Sequence, residues 1–338
     1  MKITVIKLTI IATIILATFF SYNNLKTVEK KVLTKKTNIF LGAEKSLLTA
    51  PIWIAEYKGF FEKNNLHVKI KIFDSGKASL VSLIDEGELD ISTVAQTPIM
   101  FNSFNESGFK ILSSMVTSTK DVKIIGRRDS GIINPKDLKG KTIGLTKGST
   151  GEYFFYLTLN RLNLSLSDVK IKNIRPSGIA NAIFKGDVDA VCIWEPHALK
   201  TRKKLKENAI VLDLGELYRE DFYFVASQKL LNSDPDTARR FLLSIQEAQE
   251  FIKKHEEESK KIVAKRLGLR FEDLNALWNE YDYALILDQT VITTLEDEAK
   301  WAIKNGLTDK TKVPDYLMNY IYTDALKEVN PALMRIVK

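Results

Sequence analysis

Short apolar segments alternate with amphipathic segments between residues 37 and 227. The apolar segments are rich in β-branched and aromatic residues and are bounded by turn-forming residues, a pattern that predicts β-strands. The predicted strands are Asn38–Ala43, His67–Phe73, Ile91–Ala95, Lys110–Thr117, Val122–Gly126, Thr142–Leu145, Val169–Asn173, Ala190–Ile193, Ile210–Leu214 and Phe222–Ala226. The predicted helices between them are Pro51–Lys58, Lys77–Glu86, Pro98–Asn105, Gly151–Asn163, Ile179–Lys185 and Pro196–Glu207. Such alternation is typical of an α/β protein with a mainly parallel sheet.

The pattern changes after Ser227, where strand-like segments nearly disappear. Apolar residues then recur at helical spacing. The predicted helices of this tail are Pro235–His255, Glu256–Leu267, Phe271–Tyr281, Thr290–Asn305 and Tyr316–Val329. Because helices in proteins gain most of their stability from tertiary packing, we expect the tail to pack against the first sheet.

One sequence pattern occurs twice, in residues 83–98 and again in residues 182–196. In each copy a helical segment ends at a Gly, an Asp follows three residues later, and a short apolar strand leads to a Pro. Gly87 and Gly186 stand where a helix C-terminus needs a residue that tolerates positive φ. Each copy places a loop at the carboxyl end of a strand, where open α/β sheets bind ligands. We therefore predict two similar lobes whose loops face a shared cleft.

The chain is predicted to cross between these lobes twice, near Thr117–Asp121 and near Leu217–Phe222. The first lobe would contain residues 37–118 plus 223–338, and the second lobe residues 119–222. Two crossings form a hinge of two strands on which lobes can close around a ligand.

The formal net charge is +8, but its distribution argues against a nucleic-acid-binding surface. Residues 1–36 contain seven Lys and one Glu and so carry a net charge of +6. The rest of the chain carries only +2, which is too little to follow a phosphate backbone. We expect no nucleic acid among the partners.

Residues 1–36 are predicted to be a targeting segment with a basic spacer. Lys2 and Lys7 precede the apolar run Leu8–Phe20, as in the n- and h-regions of a secretory signal. No clear small-x-small pair follows the run, and no Cys is present there for lipidation. The apolar stretch in residues 3–22 is also long enough to be retained as a membrane anchor. A cleaved signal and a retained anchor remain alternatives, and both predict export to the periplasm or the extracytoplasmic face of the membrane.

The residues that catalysis or metal binding would need are scattered along the chain. His67, His197 and His255 lack metal-ligand spacing, and Cys192 is the only cysteine and so forms no internal disulfide. No GxSxG or GxGxxG motif occurs. We therefore predict no enzyme activity, no metal site and no cofactor. Cys192 is interpreted as a small buried hydrophobe.

Asp90 and Asp189 could be mistaken for a pair of catalytic acids. Each stands at the amino end of its predicted strand, opposite to the end where the ligand loops lie. We interpret both as residues that cap turns.

Two strand ends in the second lobe carry candidate ligand contacts. Ser149 and Thr150 open a predicted helix, where free backbone N–H groups and the helix dipole suit a sulfonate or carboxylate. Trp194 and Glu195 stand at the next strand end, where a ring could cover the ligand body and a carboxylate could pair with an amino nitrogen. The alternatives are a plain helix cap at Ser149–Thr150, a core position for Trp194 and a helix-dipole role for Glu195.

Two equivalent loops in the first lobe carry further candidates. Gln96 offers a donor and an acceptor, and Thr97 is placed as an N-cap before a Pro. Ser46 and Thr49 lie between the first strand and the first helix and should open on the same cleft. Simple capping is the alternative for Gln96 and Thr97.

Several short sequence segments resemble segments of the solute-binding proteins of ABC importers for nitrate, taurine, aliphatic sulfonates and thiamine-pyrimidine precursors. They occur in the family's order over roughly residues 38–226. The segments are Ala50–Ala55 with Gly59–Phe61, Gly87–Ile91, Asp137–Gly144, the loop Gly148–Gly151, and Gly186–Pro196.

This resemblance implies a type II periplasmic-binding fold, with two α/β lobes joined by a two-strand hinge and a helical tail packed on the first lobe. It implies an exported binding protein that delivers a small anionic or zwitterionic solute to a membrane permease. The family's contact positions map onto Ser46, Gln96, Thr97, Ser149, Thr150, Trp194 and Glu195; Thr49 is added from its position in the loop. A carboxylate at Glu195 favours taurine-like or aminopyrimidine ligands over nitrate.

Two other functions remain as alternatives. One is a cleft enzyme on the same fold that acts on a related small acid or pyrimidine precursor. The pyrimidine-forming branch of this fold carries a cysteine-rich motif, which a chain with Cys192 alone lacks. The other is a membrane-anchored domain that senses a solute. In each case the sequence leaves the solute unnamed, and we expect a monomer.

Overall fold

The computed structural model describes residues 36–105 and 108–337. The predicted targeting segment, apart from Lys36, lies outside this range. Within it the strands are β1 (Thr37–Glu44), β2 (Leu66–Phe73), β3 (Ile91–Ala95), β4 (Phe109–Ser118), β5 (Val122–Arg127), β6 (Thr142–Leu145), β7 (Lys170–Asn173), β8 (Ala190–Trp194), β9 (Ala209–Val211), β10 (Glu220–Ser227), β11 (Leu287–Asp288) and β12 (Met334–Arg335). All ten predicted strands are present, with small shifts at their ends, and the short pair β11–β12 is additional.

Helices connect the strands of both sheets and form most of the C-terminal tail. They are α1 (Ala50–Lys58), α2 (Phe60–Lys63), α3 (Gly76–Val81), α4 (Gln96–Ser103), α5 (Thr150–Arg161), α6 (Pro176–Lys185), α7 (His197–Leu205), α8 (Gln228–Ser233), α9 (Pro235–Lys254), α10 (Glu256–Leu267), α11 (Phe271–Trp278), α12 (Gln289–Lys304), α13 (Tyr316–Asn319) and α14 (Asp324–Val329). None of these helices is long and apolar enough to span a membrane.

The strands form two five-stranded sheets with the same plan. The first sheet has the order β2-β1-β3-β10-β4, and the second has the order β7-β6-β8-β5-β9. In the first, β1 runs parallel to β2 and β3, whereas β10 runs antiparallel to β3 and β4. In the second, β6 runs parallel to β7 and β8, whereas β5 runs antiparallel to β8 and β9.

The prediction of a mainly parallel sheet is therefore wrong for half of the strand pairs. The antiparallel strands β5 and β10 are the first strands after the chain passes from one sheet to the other. Neither is joined to its neighbour by the βαβ crossover that imposes a parallel direction. The chain passes between the sheets after Ser118 and after Val211, and β10 begins at Glu220, three residues before the predicted second segment of the first lobe.

The repeated sequence pattern forms the same junction in both sheets. Gly87 and Gly186 end their helical segments with φ of 63° and 80°, as the pattern predicted. The two Asp residues do not cap turns, which corrects that prediction. Asp90 Oδ2 accepts a hydrogen bond from the Phe40 amide of β1 at 2.9 Å, and Asp189 Oδ2 accepts one from the Thr142 amide of β6 at 2.8 Å. Each Asp thus fixes its strand to the neighbouring parallel strand.

The C-terminal tail packs on the first sheet, as expected. Phe241 of α9 lies 4.9 Å from the ring of Phe224 on β10 and stacks at 5.7 Å on Phe61. The tail also reaches the other half of the molecule, because Trp301 of α12 lies 5.0 Å from the ring of Tyr153 on α5. It therefore contacts helices that belong to both sheets.

The last predicted helix, Tyr316–Val329, is wrong as a single element. The structure has two short helices, α13 and α14, with an extended turn between them. In that turn the Tyr320 hydroxyl donates to the Ser103 carbonyl at 2.5 Å, and Ile321 pairs with Ile111 of β4. Tertiary contacts at these two residues replace the helical hydrogen bonds.

We expect Asp189→Ala to lower the free energy of unfolding by about 1–2 kcal/mol, because the Thr142 amide loses its carboxylate acceptor. Urea denaturation measures this change. The control is Asp187→Ala, an exposed acid two residues earlier. Equal stabilities of the two variants would contradict the role given to Asp189.

Candidate functional site

A small cavity of about 20 Å³, partly open to solvent, lies between the two sheets. Its walls come from the carboxyl ends of β1, β3, β6 and β8 and from the start of β10. This is the edge at which open α/β sheets bind ligands. The lining residues are Glu44, Leu48, Ser75, Gly76, Lys77, Ala95, Pro98, Ser149, Thr150, Trp194, Glu220 and Phe222.

Polar contacts between the two halves hold the cleft closed around this cavity. The Lys77 ammonium on α3 donates to the Lys147 carbonyl at 2.8 Å. The Ser177 hydroxyl on α6 donates to Asp74 at 2.9 Å. A side chain at Gly148 would displace the Lys77 ammonium, because its Cβ would lie 2.6 Å from Lys77 Nζ, and it would be strained at the φ of 66°.

Three predicted contact residues line the cavity: Ser149, Thr150 and Trp194. Ser149 is the backbone N-cap of α5, but its hydroxyl donates to the Thr146 carbonyl at 2.6 Å. The first N–H groups of a helix have no partner inside the helix, so this end of α5 offers backbone donors. Trp194 ends β8 and is 6% exposed.

Ser46 and Thr49 are buried but do not line this cavity. The Thr49 hydroxyl donates to the carbonyls of Glu44 and Ser46, both at 2.9 Å. It therefore shapes the loop after β1. Ser46 lines a second cavity, whose lining also includes Glu44.

Gln96 and Thr97 are fully buried behind the cavity wall. The Gln96 amide donates to the Arg219 carbonyl and accepts from the Asp221 amide, both at 3.0 Å, so it holds the start of β10. Thr97 is the second residue of α4 and not its N-cap, which is Ala95. This corrects the capping role, and the Thr97 side chain instead faces Tyr218 and Glu298, whose pKa values it lowers in part.

Glu195 points away from the cavity and is fully buried. Its carboxylate accepts from the Leu199 amide at 2.7 Å and from Arg202 at 2.7 Å, with Lys123 at 3.4 Å. Burial raises its pKa, while Lys123 and Arg202 lower it. These contacts favour the alternative in which Glu195 stabilises the start of α7 and forms ion pairs. They do not favour a role in binding a ligand amine.

The acidic groups that do line the cavity are Glu44 and Glu220, which the sequence analysis missed. Burial raises the pKa of Glu44 to about 7, against the lowering effects of the nearby Ser46 hydroxyl and the Gly76 amide. The Gly76 amide donates to Glu44 Oε2 at 2.8 Å, and Oε1 is buried without a direct hydrogen-bond partner. The only sequence signal for this residue was its place at the end of an apolar strand.

Glu220 is the first residue of β10 and is also fully buried. Burial raises its pKa well above the usual range, and the charges of Asp121 and Glu44 raise it further. Glu220 Oε2 is buried without a direct hydrogen-bond partner. The two cavity acids therefore share an environment that a ligand cation would stabilise in the ionised form.

Lys77 supplies the positive charge of the lining. Burial lowers its pKa, and the nearby Glu152 raises it. Glu152 also accepts from the Gly148 amide at 2.6 Å and so tightens the loop before α5. The cavity lining thus combines a cation and the start of α5 with two carboxyl groups. The groups are close to one another, because the Gly76 amide donates to Glu44 and the Thr150 side chain lowers the pKa of Glu220.

Among residues 36–105 and 108–337, no cluster of three or more His, Cys, Asp or Glu side chains is arranged to hold a metal ion. Cys192 is fully buried in β8, and its thiol donates to the Gly151 carbonyl at 3.1 Å. Burial raises the pKa of this thiol, which agrees with its interpretation as a small core residue.

The chain belongs to the NMT1/THI5-like family, whose sequence model matches residues 48–259. It is 30% identical over 301 residues to the "Putative aliphatic sulfonates-binding protein" of Bacillus subtilis strain 168, covering 86% of this chain and 88% of that protein. It is 25% identical over 196 residues to the taurine-binding periplasmic protein of Escherichia coli K12, covering 56% of this chain and 59% of that protein.

The fold is similar to that of the alkanesulfonate-binding protein SsuA from Xanthomonas axonopodis pv. citri, solved bound to MOPS. The TM-score is 0.73 at 18% identity, over 90% of this chain and 100% of that chain. The resemblance to periplasmic binding proteins and the expected fold are therefore confirmed. The expectation of no enzyme activity agrees with the names of these relatives, which are binding proteins.

We expect Glu195→Ala to lower the free energy of unfolding by about 2 kcal/mol while solute affinity stays within about twofold. Arg202 and Lys123 lose the carboxylate between them, and the partial exposure of Arg202 reduces the cost. Urea denaturation and calorimetric titration measure the two quantities. Glu207→Ala, at an exposed site, is the control. Loss of affinity in a folded Glu195→Ala protein would mean that Glu195 does contribute to solute binding.

The raised pKa of Glu44 predicts that stability falls as pH rises from about 4.5 to about 7, since the folded protein keeps a proton that the unfolded chain has lost. One such group contributes at most about 1.4 kcal/mol per pH unit. Glu220 and Asp121 act in the same direction. Glu44→Gln should flatten this pH dependence in urea denaturation at pH 5, 6, 7 and 8 (about one-unit steps).

The control for this experiment is Glu216→Gln, at an exposed site. It should keep the wild-type slope of stability against pH. A Glu44→Gln slope equal to that of the wild type would mean that Glu44 ionises normally in the folded protein.

Proposed function

We propose that this protein is the exported solute-binding component of an ABC importer and that it captures a small zwitterion, of the taurine or aminoalkanesulfonate type. We infer the class of solute from the residues that line the cavity. Its lining contains two carboxyl groups, Glu44 and Glu220, together with the Lys77 ammonium and the start of α5. The names of the relatives, which include sulfonate- and taurine-binding proteins, support the same class.

In this proposal the ammonium group of the solute lies between Glu44 and Glu220. Each carboxyl group has one buried oxygen without a direct hydrogen-bond partner, at Glu44 Oε1 and Glu220 Oε2. A cation within hydrogen-bond distance would lower both pKa values toward the usual range and recover part of the cost of their burial. Glu44 and Glu220 thus take the role that the sequence analysis gave to Glu195.

The anionic group of the solute would face Ser149 and Thr150, with Lys77 beside it. The backbone donors at the start of α5 and the ammonium of Lys77 suit a sulfonate or carboxylate. Trp194 would cover the carbon chain between the two charged ends. The cavity has a volume of only about 20 Å³ in this structure, which is too small for these solutes, so the two halves would have to move apart to admit one.

A second candidate is an aminopyrimidine, and the raised pKa of Glu44 favours it. With a pKa of about 7, Glu44 is partly neutral at physiological pH. A neutral carboxyl group donates one hydrogen bond and accepts another, which matches a ring nitrogen next to an amino group. This solute would leave the Glu44 proton in place, whereas an alkylammonium would displace it.

Closure would occur between two lobes, residues 37–118 plus 223–338 and residues 119–222, with the start of β10 at Glu220 as part of the first. The crossings after Ser118 and after Val211 would act as the hinge. The closed protein would then dock on a membrane permease and release its solute there. We propose that it acts as a monomer and that residues 1–36 direct export, as a cleaved signal or as an anchor.

Two alternatives, a cleft enzyme and an anchored sensor, have less support. The relatives are named as binding proteins, which favours binding over catalysis. Recovery of the bound solute unchanged after incubation would count against the enzyme. Uptake of the solute by proteoliposomes with the permease would count against the sensor.

We expect taurine to bind the wild-type protein with release of more than about half a proton at pH 7. The Glu44 pKa is about 7 in the free protein and falls beside an ammonium, and Glu220, whose pKa is raised further, adds to the count. Calorimetric titration in phosphate and in Tris, whose ionisation enthalpies differ, measures the proton count. Sulfonate buffers are avoided because they resemble the solute. Glu44→Gln and Glu220→Gln should each weaken binding by about tenfold or more, a cost of about 1.4 kcal/mol.

The matched control is Glu216→Gln, which should bind like the wild type. Ethanesulfonate, which lacks the amine, should bind more weakly than taurine. Proton uptake with taurine, or unchanged affinity in both cavity variants, would mean that Glu44 and Glu220 do not bind the ammonium group. Binding of an aminopyrimidine without proton release, and no binding of taurine, would select the second candidate.

A further inference from the structure

The two passages between the sheets each bring a carboxyl group to the same place. Glu220 begins β10 and pairs in the sheet with Ser118, the last residue of β4. Asp121 lies shortly after Ser118, between β4 and β5. Asp121 and Glu220 are 1% and 3% exposed. Two buried acids, one from each passage, are therefore neighbours.

Each of these acids has one oxygen that no hydrogen-bond donor reaches among the residues that the structure describes. The Tyr281 hydroxyl donates to Asp121 Oδ1 at 2.5 Å, whereas Asp121 Oδ2 is buried without a partner. Glu220 Oε2 is likewise buried without a partner. Two neighbouring carboxylates repel each other, and a single proton between them replaces that repulsion with a hydrogen bond.

The surroundings of the two acids decide which of them carries such a proton in the free protein. The Tyr281 hydroxyl and the charge of Lys123 both favour the ionised form of Asp121. The hydrogen bond between the two carboxyl groups lowers the pKa of Asp121 and raises the pKa of Glu220, although the Thr150 side chain lowers the latter. The proton therefore lies on Glu220, which donates to Asp121.

Other acidic groups oppose the loss of this proton. The titratable groups that face the pair are Glu44 at the end of β1, Lys123 on β5, Glu195 after β8, and Tyr281 and Tyr283 in the tail. The charge of Glu44 raises the pKa of Glu220, and the charge of Glu195 raises the pKa of Asp121. Lys123 also pairs with Glu195 at 3.4 Å, so its charge is shared.

We propose that Asp121 and Glu220 hold one proton between them and that this proton passes from Glu220 to Asp121 when the ammonium group of the solute binds. The O–H bond of Glu220 breaks and an O–H bond of Asp121 forms, so no proton leaves the protein in this step. Glu220 Oε2 has two lone pairs and can accept from the ammonium group and from neutral Asp121 together. This inference rests on the proposed function, in which Glu220 receives an ammonium.

Asp121 is then a positioning residue, because it acts on the solute through Glu220. Glu220 lines the cavity and Asp121 does not. Without Asp121, Glu220 could become a carboxylate only by releasing its proton to solvent. With Asp121, the pair carries one negative charge both before and after binding, and that charge moves to the acid that lines the cavity.

The first experiment counts the protons that are released when taurine binds at about pH 8. Calorimetric titration in phosphate and in Tris gives this count. Glu44 and Asp121, with pKa values of about 7, have by then lost most of their protons in the free protein. The wild type should release only about 0.2 proton, since the proton of Glu220 stays on Asp121.

The variant for this experiment is Asp121→Asn, whose amide cannot take up a proton. Burial, the largest cause of the raised pKa of Glu220, remains in the variant. It should therefore release about one proton when taurine binds at about pH 8. The matched control is Asp213→Asn, the same substitution at an exposed site in the second passage, which should release as few protons as the wild type.

The second experiment needs no solute and tests the shared proton in the free protein. The slope of the free energy of unfolding against pH counts the protons that the folded protein holds in excess of the unfolded chain. Near pH 8 this excess should be smaller in Glu220→Gln than in the wild type by about one proton, because the Gln amide donates to Asp121 without titrating. Urea denaturation measures the slope, and Glu216→Gln, at an exposed site, should keep the wild-type value.

The outcomes separate this inference from the proposed function. A Glu220→Gln slope equal to that of the wild type would overturn the shared proton, and this result does not depend on the folding of Asp121→Asn. Taurine binding with release of about one proton near pH 8 from the wild type would overturn the transfer and leave the proposed function intact. Equal proton counts in the wild type and Asp121→Asn would also overturn it. If neither taurine nor another amine bound, the proposed function would fail, and the transfer with it.

Discussion

The burial of acidic side chains where the chain passes between the two sheets is the constraint on which the rest of the structure depends. Asp121 follows the first passage and Glu220 follows the second, and both are almost fully buried. Burial and the charge of Glu195 raise the pKa of Asp121 to about 7, against the lowering effects of the Tyr281 hydroxyl and Lys123. Tyr281, from the tail, donates to Asp121 at 2.5 Å. Both passages and the tail therefore meet in one polar cluster, and Glu44 connects it to the cavity.

This cluster costs folding free energy that other parts of the molecule offset. A buried acid is favourable only if it is neutral or paired. Lys123 and Arg202 form ion pairs with the nearby Glu195, and Lys123 also lowers the pKa of Asp121. The apolar cores of the two sheets, with β3 and β8 buried along their whole lengths, offset that cost. Such arrangements are common at functional sites, where charged or strained groups are kept although they reduce stability.

The strands and helices could be predicted from the sequence because each strand is a local apolar pattern between turn residues. The repeated Gly and Asp pattern located both sheet junctions, since Gly87 and Gly186 need their positive φ wherever the sheets lie. Strand direction could not be read in this way, because β5 and β10 are set antiparallel by the passages between sheets. The break at Tyr320 likewise depends on contacts with residues more than 200 positions away.

The site was only partly predictable from the sequence. Ser149, Thr150 and Trp194 stand at strand ends and line the cavity as their positions suggested. Glu195 is adjacent to Trp194 along the chain, but it lies in the turn after β8, where its carboxylate accepts from the Leu199 amide and pairs with Arg202 of α7. Glu44 and Glu220 have the sequence signature of ordinary exposed acids. Their importance comes from burial, which depends on residues brought together from both halves of the chain.

The position of β10 also sets an order for folding. This strand lies between β3 and β4 in the first sheet, but the chain makes it only after the whole second sheet. Residues 122–211 contain all five strands of the second sheet and can pair among themselves early. The first sheet must wait until Ser227 has been synthesised, and its long-range pairing is intrinsically slow. A chain with this topology therefore completes its second sheet before its first.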